Sequence, residues 1–306
     1  MPRPLRIGAP SLPLALIQVA QVQAAVATHH PGIRTEHVPL ATPAQHEHHD
    51  GTGLMAGTVT SDIEHALLAG ECDAAVRCMK DVPGVPLTPT GTVFAAYLPR
   101  GDRRDALVNR SGLPLDRLPP GTQIATSSVR RTALLTRSHP QLKAVPIHGT
   151  IDARLAAVES GAADASIVAF NELKNLGQWH LLAEVLGVQR MCPPLGAAVL
   201  GLQCRADDTK TISRLAPLDD PRTRREITAE RILLRVLRGR CETPVAGHCT
   251  TRPDGRLSLR GTAFTPDGHR TLHCHQAGTD PATLGTHVAH ELLSSGARDL
   301  ADTYAL

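Results

Sequence analysis

With 306 residues the chain is long enough for two or three domains of ordinary size. Hydrophobic residues make up 42% but include only three Phe, two Tyr and one Trp, so any core has to be aliphatic. A formal charge of +3 is too small to mark a nucleic-acid binder. The basic residues cluster locally, at Arg130-Arg131 and from Arg222 to Arg240, which suits small anionic ligands better than a long polyanion.

The seven cysteines form no Cys-x-x-Cys pair, so the expectation is a reduced protein with unlinked thiols. Met1-Pro2-Arg3-Pro4 runs straight into a strand-like Leu5-Arg6-Ile7-Gly8. With no signal peptide and no apolar run long enough for a bilayer, a cytoplasmic protein is expected.

In chain order, Leu5 to Ala9 reads as a strand and Pro13 to His29 as a helix with Ala15, Val19, Val22 and Val26 on one face. Arg34 to Leu40 is a second strand. From Thr42 to Gly57 the periodicity is lost around His46-Glu47-His48-His49-Asp50, which reads as a long polar lid. Ser61-Asp62-Ile63-Glu64 has the form of a capping box, opening a short helix that Gly70 ends. Asp73 to Cys78 is a strand with Met79-Lys80-Asp81-Val82-Pro83 as its exit loop, and Thr92 to Leu98 is another.

A second unit begins near residue 100. Gln123 to Ala125 is a strand leading through Thr126-Ser127-Ser128 into a helix. Val145 to His148 is a strand, Asp152 to Ser160 a helix stopped by Gly161, and Ala165 to Val168 a strand. This alternation predicts mostly parallel sheets covered by helices. Ala197 to Arg205 is a further strand that can return to the first unit. The third unit opens with a helix carrying Ala229, Ile232, Leu233, Val236 and Leu237 on one face. Strands follow at Pro244–Thr250, Leu257–Phe264 and Thr271–Ala277, with turns at Asp254-Gly255 and Asp267-Gly268, then a helix from Ala282 to Ser294.

Four places carry chemistry. Asp81 ends a strand directly after Lys80, and open α/β sheets bind ligands at the carboxyl ends of their strands. A carboxylate there can stabilise a cation or handle a proton, or be an ordinary solvated turn residue. Ser127-Ser128 at a helix N-terminus offers donors to an anion. Arg130-Arg131 in its first turn opposes the helix dipole, a cost easier to understand if both grip carboxylates. Arg154 opens the helix after His148-Gly149-Thr150. Cys241, in Gly239-Arg240-Cys241-Glu242-Thr243-Pro244, sits in a basic turn that would favour a thiolate. Two weaker patterns are the His46–Asp50 tract and His273-Cys274-His275 with Cys249. The first reads better as a solvated lid than as a metal site, and no metal is assigned.

Together these residues resemble the porphobilinogen deaminase (hydroxymethylbilane synthase) family. The pieces run in order along nearly the whole chain: Arg6-Ile7-Gly8 with Leu14-Ala15 and Gln18; Asp73-Ala74-Ala75-Val76 into Lys80-Asp81-Val82-Pro83; Thr126 to Arg131; Gly149 with Arg154-Leu155; Ala229-Glu230-Arg231; and Gly239-Arg240-Cys241 with Pro244. The resemblance implies an α/β protein with two periplasmic-binding-protein-like lobes and a small C-terminal α+β domain. Residues 1–98 with 195–215 would form the first lobe, 99–194 the second, and 216–306 the domain bearing the cofactor cysteine. It further implies a monomeric transferase that condenses porphobilinogen, with loss of ammonia, on a dipyrromethane held by Cys241. Asp81 would be catalytic with Lys80. Arg130, Arg131, Ser127 and Ser128 would hold the cofactor, and Arg154, His148, Gln18 and Arg77 the carboxylated pyrrole substrate, with no nucleic-acid or membrane partner.

The chain departs from the family pattern in the cleft. Pro10 and Leu12 replace an arginine and a serine, His148 and Asn175 replace arginines, Arg77-Cys78 stands for His-Ser, and Gly196-Ala197-Ala198 stands for Gly-Gln-Gly. A charge-assisted hydrogen bond is worth roughly 1.5–3 kcal/mol, so losing several weakens a polyanion site unless Arg77 or a protonated His148 compensates. Two alternatives follow: the same scaffold recruited to a specialised biosynthetic reaction on another substrate, or a non-catalytic two-lobed protein binding a small carboxylate.

Overall fold

The computed structural model describes residues 3–40, 55–84, 91–237 and 243–302, with 55–61 and 301–302 by backbone alone. The His46–Asp50 tract, Arg240 and Cys241 lie outside the described residues.

The chain opens with β1 (Leu5–Ala9), α1 (Pro13–His29), β2 (Thr35–Pro39), α2 (Met55–Leu68), β3 (Ala74–Cys78) and β4 (Thr92–Tyr97). It crosses over to β5 (Asp105–Asn109), β6 (Gln123–Ala125), α3 (Val129–Ser138), β7 (Lys143–Val145), α4 (Ile151–Ser160), β8 (Ala165–Ala169), α5 (Phe170–Asn175) and β9 (Leu182–Leu186). It then returns through β10 (Leu200–Arg205) and α6 (Thr209–Leu215). The last part is α7 (Pro221–Val236), β11 (Val245–Thr251), β12 (Leu257–Phe264), β13 (Thr271–Gly278), α8 (Pro281–Ser294) and α9 (Ala297–Asp302).

Two five-stranded sheets result, ordered β2-β1-β3-β10-β4 and β7-β6-β8-β5-β9, with a three-stranded sheet β11-β12-β13 at the C-terminal end. The architecture is thus two α/β lobes and a small C-terminal α+β unit. Val19, Val22 and Val26 of α1 pack on Leu5, Ile7 and Val76, so the spacing of three and four residues does bury one helix face on the first sheet. In the third sheet Leu257, Leu259 and Ala263 alternate inward onto Leu233 of α7 and Val288 of α8.

Several local expectations are corrected. The sheets are mixed, not mostly parallel: β1, β2 and β3 run parallel, as do β6, β7 and β8, while β10 and β5 are antiparallel to both their neighbours. The antiparallel half is where the crossovers 98–104 and 187–199 leave and enter each lobe. The Ser61–Glu64 capping box lies inside α2, because a cap is a local preference and the helix continues through it to bury Ile63, Ala66 and Leu67. The strand expected at Val145–His148 ends at Val145, since Pro146 has no N–H for the ladder. Residues 197–199 fall outside β10, and Ala198 with φ 56° has a left-handed backbone that no strand admits. The elements β5, α5 and β9 were not anticipated from the sequence.

A buried ion network ties both crossovers to the C-terminal unit. Arg100 donates to Glu230 of α7 at 2.6 and 3.1 Å and to the Ala197 carbonyl at 2.9 Å. Glu230 also accepts from the backbone N–H of Gly196 (2.6 Å) and of Cys249 (2.7 Å). Burial alone would raise the Glu230 pKa, but Arg100 and these donors hold it below the usual range. Glu230→Ala removes the nearer partner of a buried guanidinium, leaving Glu226 at 3.7 Å, so a loss of about 3 kcal/mol in urea unfolding is expected; an unchanged midpoint would refute this role. Three arginines of α7 serve structure. Arg224 pairs with Asp219, Arg225 donates to the carbonyls of Gly255 and Thr279, and Arg231 to those of Val82 and Pro83. No described helix is long and apolar enough to cross a membrane.

Candidate active site

The carboxyl ends of β1, β3, β6 and β8 face one cleft of about 470 Å³ between the lobes. This is where open α/β sheets place their ligands, because strand ends converge there and loops are free to vary. Leu12, Pro13, Leu14, Ala15 and Gln18 supply one wall, and Lys80 and Asp81 the floor. Ser127, Ser128, Arg130, Arg131, Gly149, Thr150, Asp152 and Arg154 supply the opposite wall. Thr243 and Val245 border it from the C-terminal unit.

Asp81 is carried by a tight turn, Met79–Asp81, directly after β3. Its carboxylate is open to the cleft yet crowded by protein. Burial pushes its pKa up and Glu172 adds to the rise, while Lys80 and Arg77 pull it down; the net effect is upward. Lys80 forms an ion pair with Glu172 of α5. Burial opposes the charge on each of these two, but the partner outweighs it, so Glu172 lies below its usual range and Lys80 above.

Across the cleft, Ser128 caps α3 by accepting from the Arg131 N–H at 3.4 Å. The Ser127 hydroxyl donates to the Ile147 carbonyl and accepts from the Ile147 N–H at 2.9 Å, which pins the loop after β7. Arg130 and Arg131 are buried and share one carboxylate: each reaches Asp105 at 2.7 Å, and Arg130 also donates to the Cys192 carbonyl at 2.8 Å. Burial would raise the Asp105 carboxyl, yet the two guanidiniums bring it down to about 2. The same carboxylate offsets the unfavourable dipole of two arginines in a first helical turn. Arg131 keeps one buried donor, its Nε, with no hydrogen-bond partner.

Arg154 donates to the Gly149 carbonyl at 3.3 Å and has no carboxylate within ion-pair distance among the described residues. Burial and Arg131 lower its pKa, but a guanidinium remains charged. Gln18 reaches the cleft from α1. Two expected substrate contacts are not brought to the wall. His148 is exposed beside the lining Gly149. Arg77 is 5% exposed within β3 and donates to Gln203 at 2.9 Å, a same-face neighbour on the adjacent strand β10.

Asp105 and Glu172 are the cleft residues that sequence reasoning missed. Glu172 follows β8 directly, so the strand-end rule that singled out Asp81 would have found it. Asp105 had no such signal. Lys80, Arg130, Arg131 and Arg154 are matched by Asp81, Asp152 and Glu172 on the walls and Asp105 behind them. Among the described residues the charges on the cleft are thus close to balance, and an anionic ligand competes with built-in carboxylates. No cluster of three or more metal-ligating side chains occurs among the described residues. His273 and His275 bond outward to Thr262 and Ser258 while Cys249 and Cys274 are buried in the core.

Residues 5–213 match a family model described as "Porphobilinogen deaminase, dipyromethane cofactor binding domain", and residues 224–294 match "Porphobilinogen deaminase, C-terminal domain". The chain is 48% identical over 307 residues to Porphobilinogen deaminase 2 of Streptomyces coelicolor, covering 99% of this chain and 98% of that one. It is 38% identical over 307 residues to Porphobilinogen deaminase of Acidithiobacillus ferrooxidans, covering 98% of each. Among solved structures, the methionine-binding protein MetQ matches with a TM-score of 0.44 at 15% identity, over 70% of this chain and 89% of that one.

Proposed function

Because the chain belongs to the porphobilinogen deaminase family, we propose that it condenses porphobilinogen head to tail into the linear tetrapyrrole hydroxymethylbilane, on a dipyrromethane bound to Cys241. The family is enzymatic, so the reading as a non-catalytic carboxylate-binding protein is set aside. The observation that carries the proposal is Asp81 at the floor of a cleft whose far wall presents Arg131 and Arg154.

The residues present fit the carboxylated pyrroles of such a cofactor. Arg131 has a buried unpartnered Nε, Arg154 is a cation without an ion-pair partner among the described residues, and Thr243, two residues beyond Cys241, borders the cleft. Bound through a thioether, the dipyrromethane would supply the pyrrole carbon to which the first unit is joined, each later unit joining the one before it. The carbon–nitrogen bond of the substrate's aminomethyl group breaks with its electron pair going to nitrogen, and the amine, once protonated, departs as ammonia. A carbon–carbon bond forms at the methylene, and the attacked ring position gives up a proton, so the balance is one ammonia per unit; release of the four-unit chain breaks its carbon–carbon bond to the cofactor, returns a proton to the cofactor ring and takes one water, whose hydroxyl becomes the hydroxymethyl group. Asp81 stabilises the cation left on the substrate by amine departure, and its raised pKa lets it hold a proton in the same place. Arg154 and Gln18 face the substrate's acetate and propionate groups, and Arg131 and Ser127 those of the cofactor.

The division at residues 1–98 with 195–215, 99–194 and 216–306 belongs to this proposal, as do a monomeric state and a cytoplasmic location. Six free thiols among the described residues suit a reducing compartment. Intact-protein mass spectrometry tests the anchor. The wild-type protein, made with porphobilinogen available, is expected to carry one dipyrromethane, and Cys241→Ala none; an adduct that survives the substitution would place the anchor elsewhere. A reading with a less acidic substrate is favoured by the apolar wall of Leu12, Pro13, Leu14 and Ala15. Turnover of porphobilinogen by the purified wild type decides between the two.

A further inference from the structure

The Lys80–Glu172 ion pair joins the two lobes. Lys80 follows β3 of the first sheet, Glu172 lies on α5 of the second, and 92 residues of chain separate them. Both border the cleft beside Asp81. Their side chains are 22% and 20% exposed, so cleft water reaches them. Asp105, which pairs with Arg130 and Arg131, is only 2% exposed. The Lys80–Glu172 pair is therefore the more accessible of the two to a ligand. Glu172 thus occupies, from within the chain, a place on the Lys80 ammonium that suits a ligand carboxylate.

We propose that Glu172 is a specificity-determining latch. It holds Lys80 across the cleft in the free protein, and a substrate carboxylate has to displace it, so a polycarboxylate enters by exchange of partners. The nature of that substrate rests on the function proposed above; the latch itself rests on the ion pair. Exchange makes binding selective, because a ligand without a carboxylate for Lys80 leaves the pair closed.

The test uses the full-length protein and Glu172→Gln. Removing the competitor is expected to tighten binding of citrate, an unreactive polycarboxylate, by roughly tenfold in titration calorimetry, the scale of one charge-assisted hydrogen bond. The KM for porphobilinogen should fall by a similar factor with kcat changed much less. The radius of gyration from small-angle scattering should rise in the variant, and the swap Lys80→Glu with Glu172→Lys should restore it. Unchanged citrate affinity in Glu172→Gln overturns the latch. If Glu172→Gln misfolds, Glu172→Asp withdraws the carboxylate by one methylene and should shift citrate affinity the same way; no shift there also overturns it. A wild type that binds citrate as described but does not turn over porphobilinogen refutes the proposed substrate and leaves the latch standing.

Discussion

Asp81→Asn is expected to lower kcat for porphobilinogen by roughly 10²–10³-fold, the usual cost of removing one preorganised group that stabilises transition-state charge. The substitution keeps the size and hydrogen-bonding shape of the side chain and removes only the negative charge. Asp81 is open to the cleft, so the change should leave urea unfolding within about 0.5 kcal/mol of wild type. The carboxyl lies above its ordinary range because burial and Glu172 disfavour its charge. Its ionisation should therefore appear in the acid limb of the wild-type rate profile, and that limb should vanish in the variant. A variant that keeps wild-type turnover would remove Asp81 from the chemistry.

Asp105→Asn should cost about 3–5 kcal/mol of stability, because it leaves Arg130 and Arg131 buried without their shared carboxylate. Asp105 titrates at about 2 in the folded protein, against 3.8 for an ordinary aspartate. A lowered folded-state pKa means that the stabilisation is complete above the unfolded value and is lost as pH falls through the folded one. The wild type should thus lose about 2 kcal/mol from this group as the pH drops from the unfolded pKa through the folded one. The variant should lack that part of the acid sensitivity. Urea unfolding at neutral pH and across the acid range measures both effects. Equal acid sensitivity in the two proteins would show that Asp105 is not the group responsible.

Much of the frame could be read locally. The valines of α1, the turn glycines between β11, β12 and β13, and the N-cap residues Ser128 and Thr150 act within a few residues of their own position. Asp81 was legible for the same reason, since a strand and its exit loop are adjacent in the chain. The errors have local causes of another kind. Pro146 ended β7 early, and a capping pattern was carried into the interior of α2.

The sequence by itself determined the family, the alternation of elements, and the positions of Asp81 just past a strand and of Arg131 and Arg154 in first helical turns. Only the tertiary structure decided how the charges are shared. Asp105 reaches Arg131 across 26 residues, Glu172 reaches Lys80 across 92, and Arg77 turns to Gln203 across 126. Local patterns place a charge on a strand end, but its partner depends on strand order and on two crossovers that bring distant segments together. Coulombic pairing acts through space, so the balance of charge among the described cleft residues became visible only once the lobes were folded against each other.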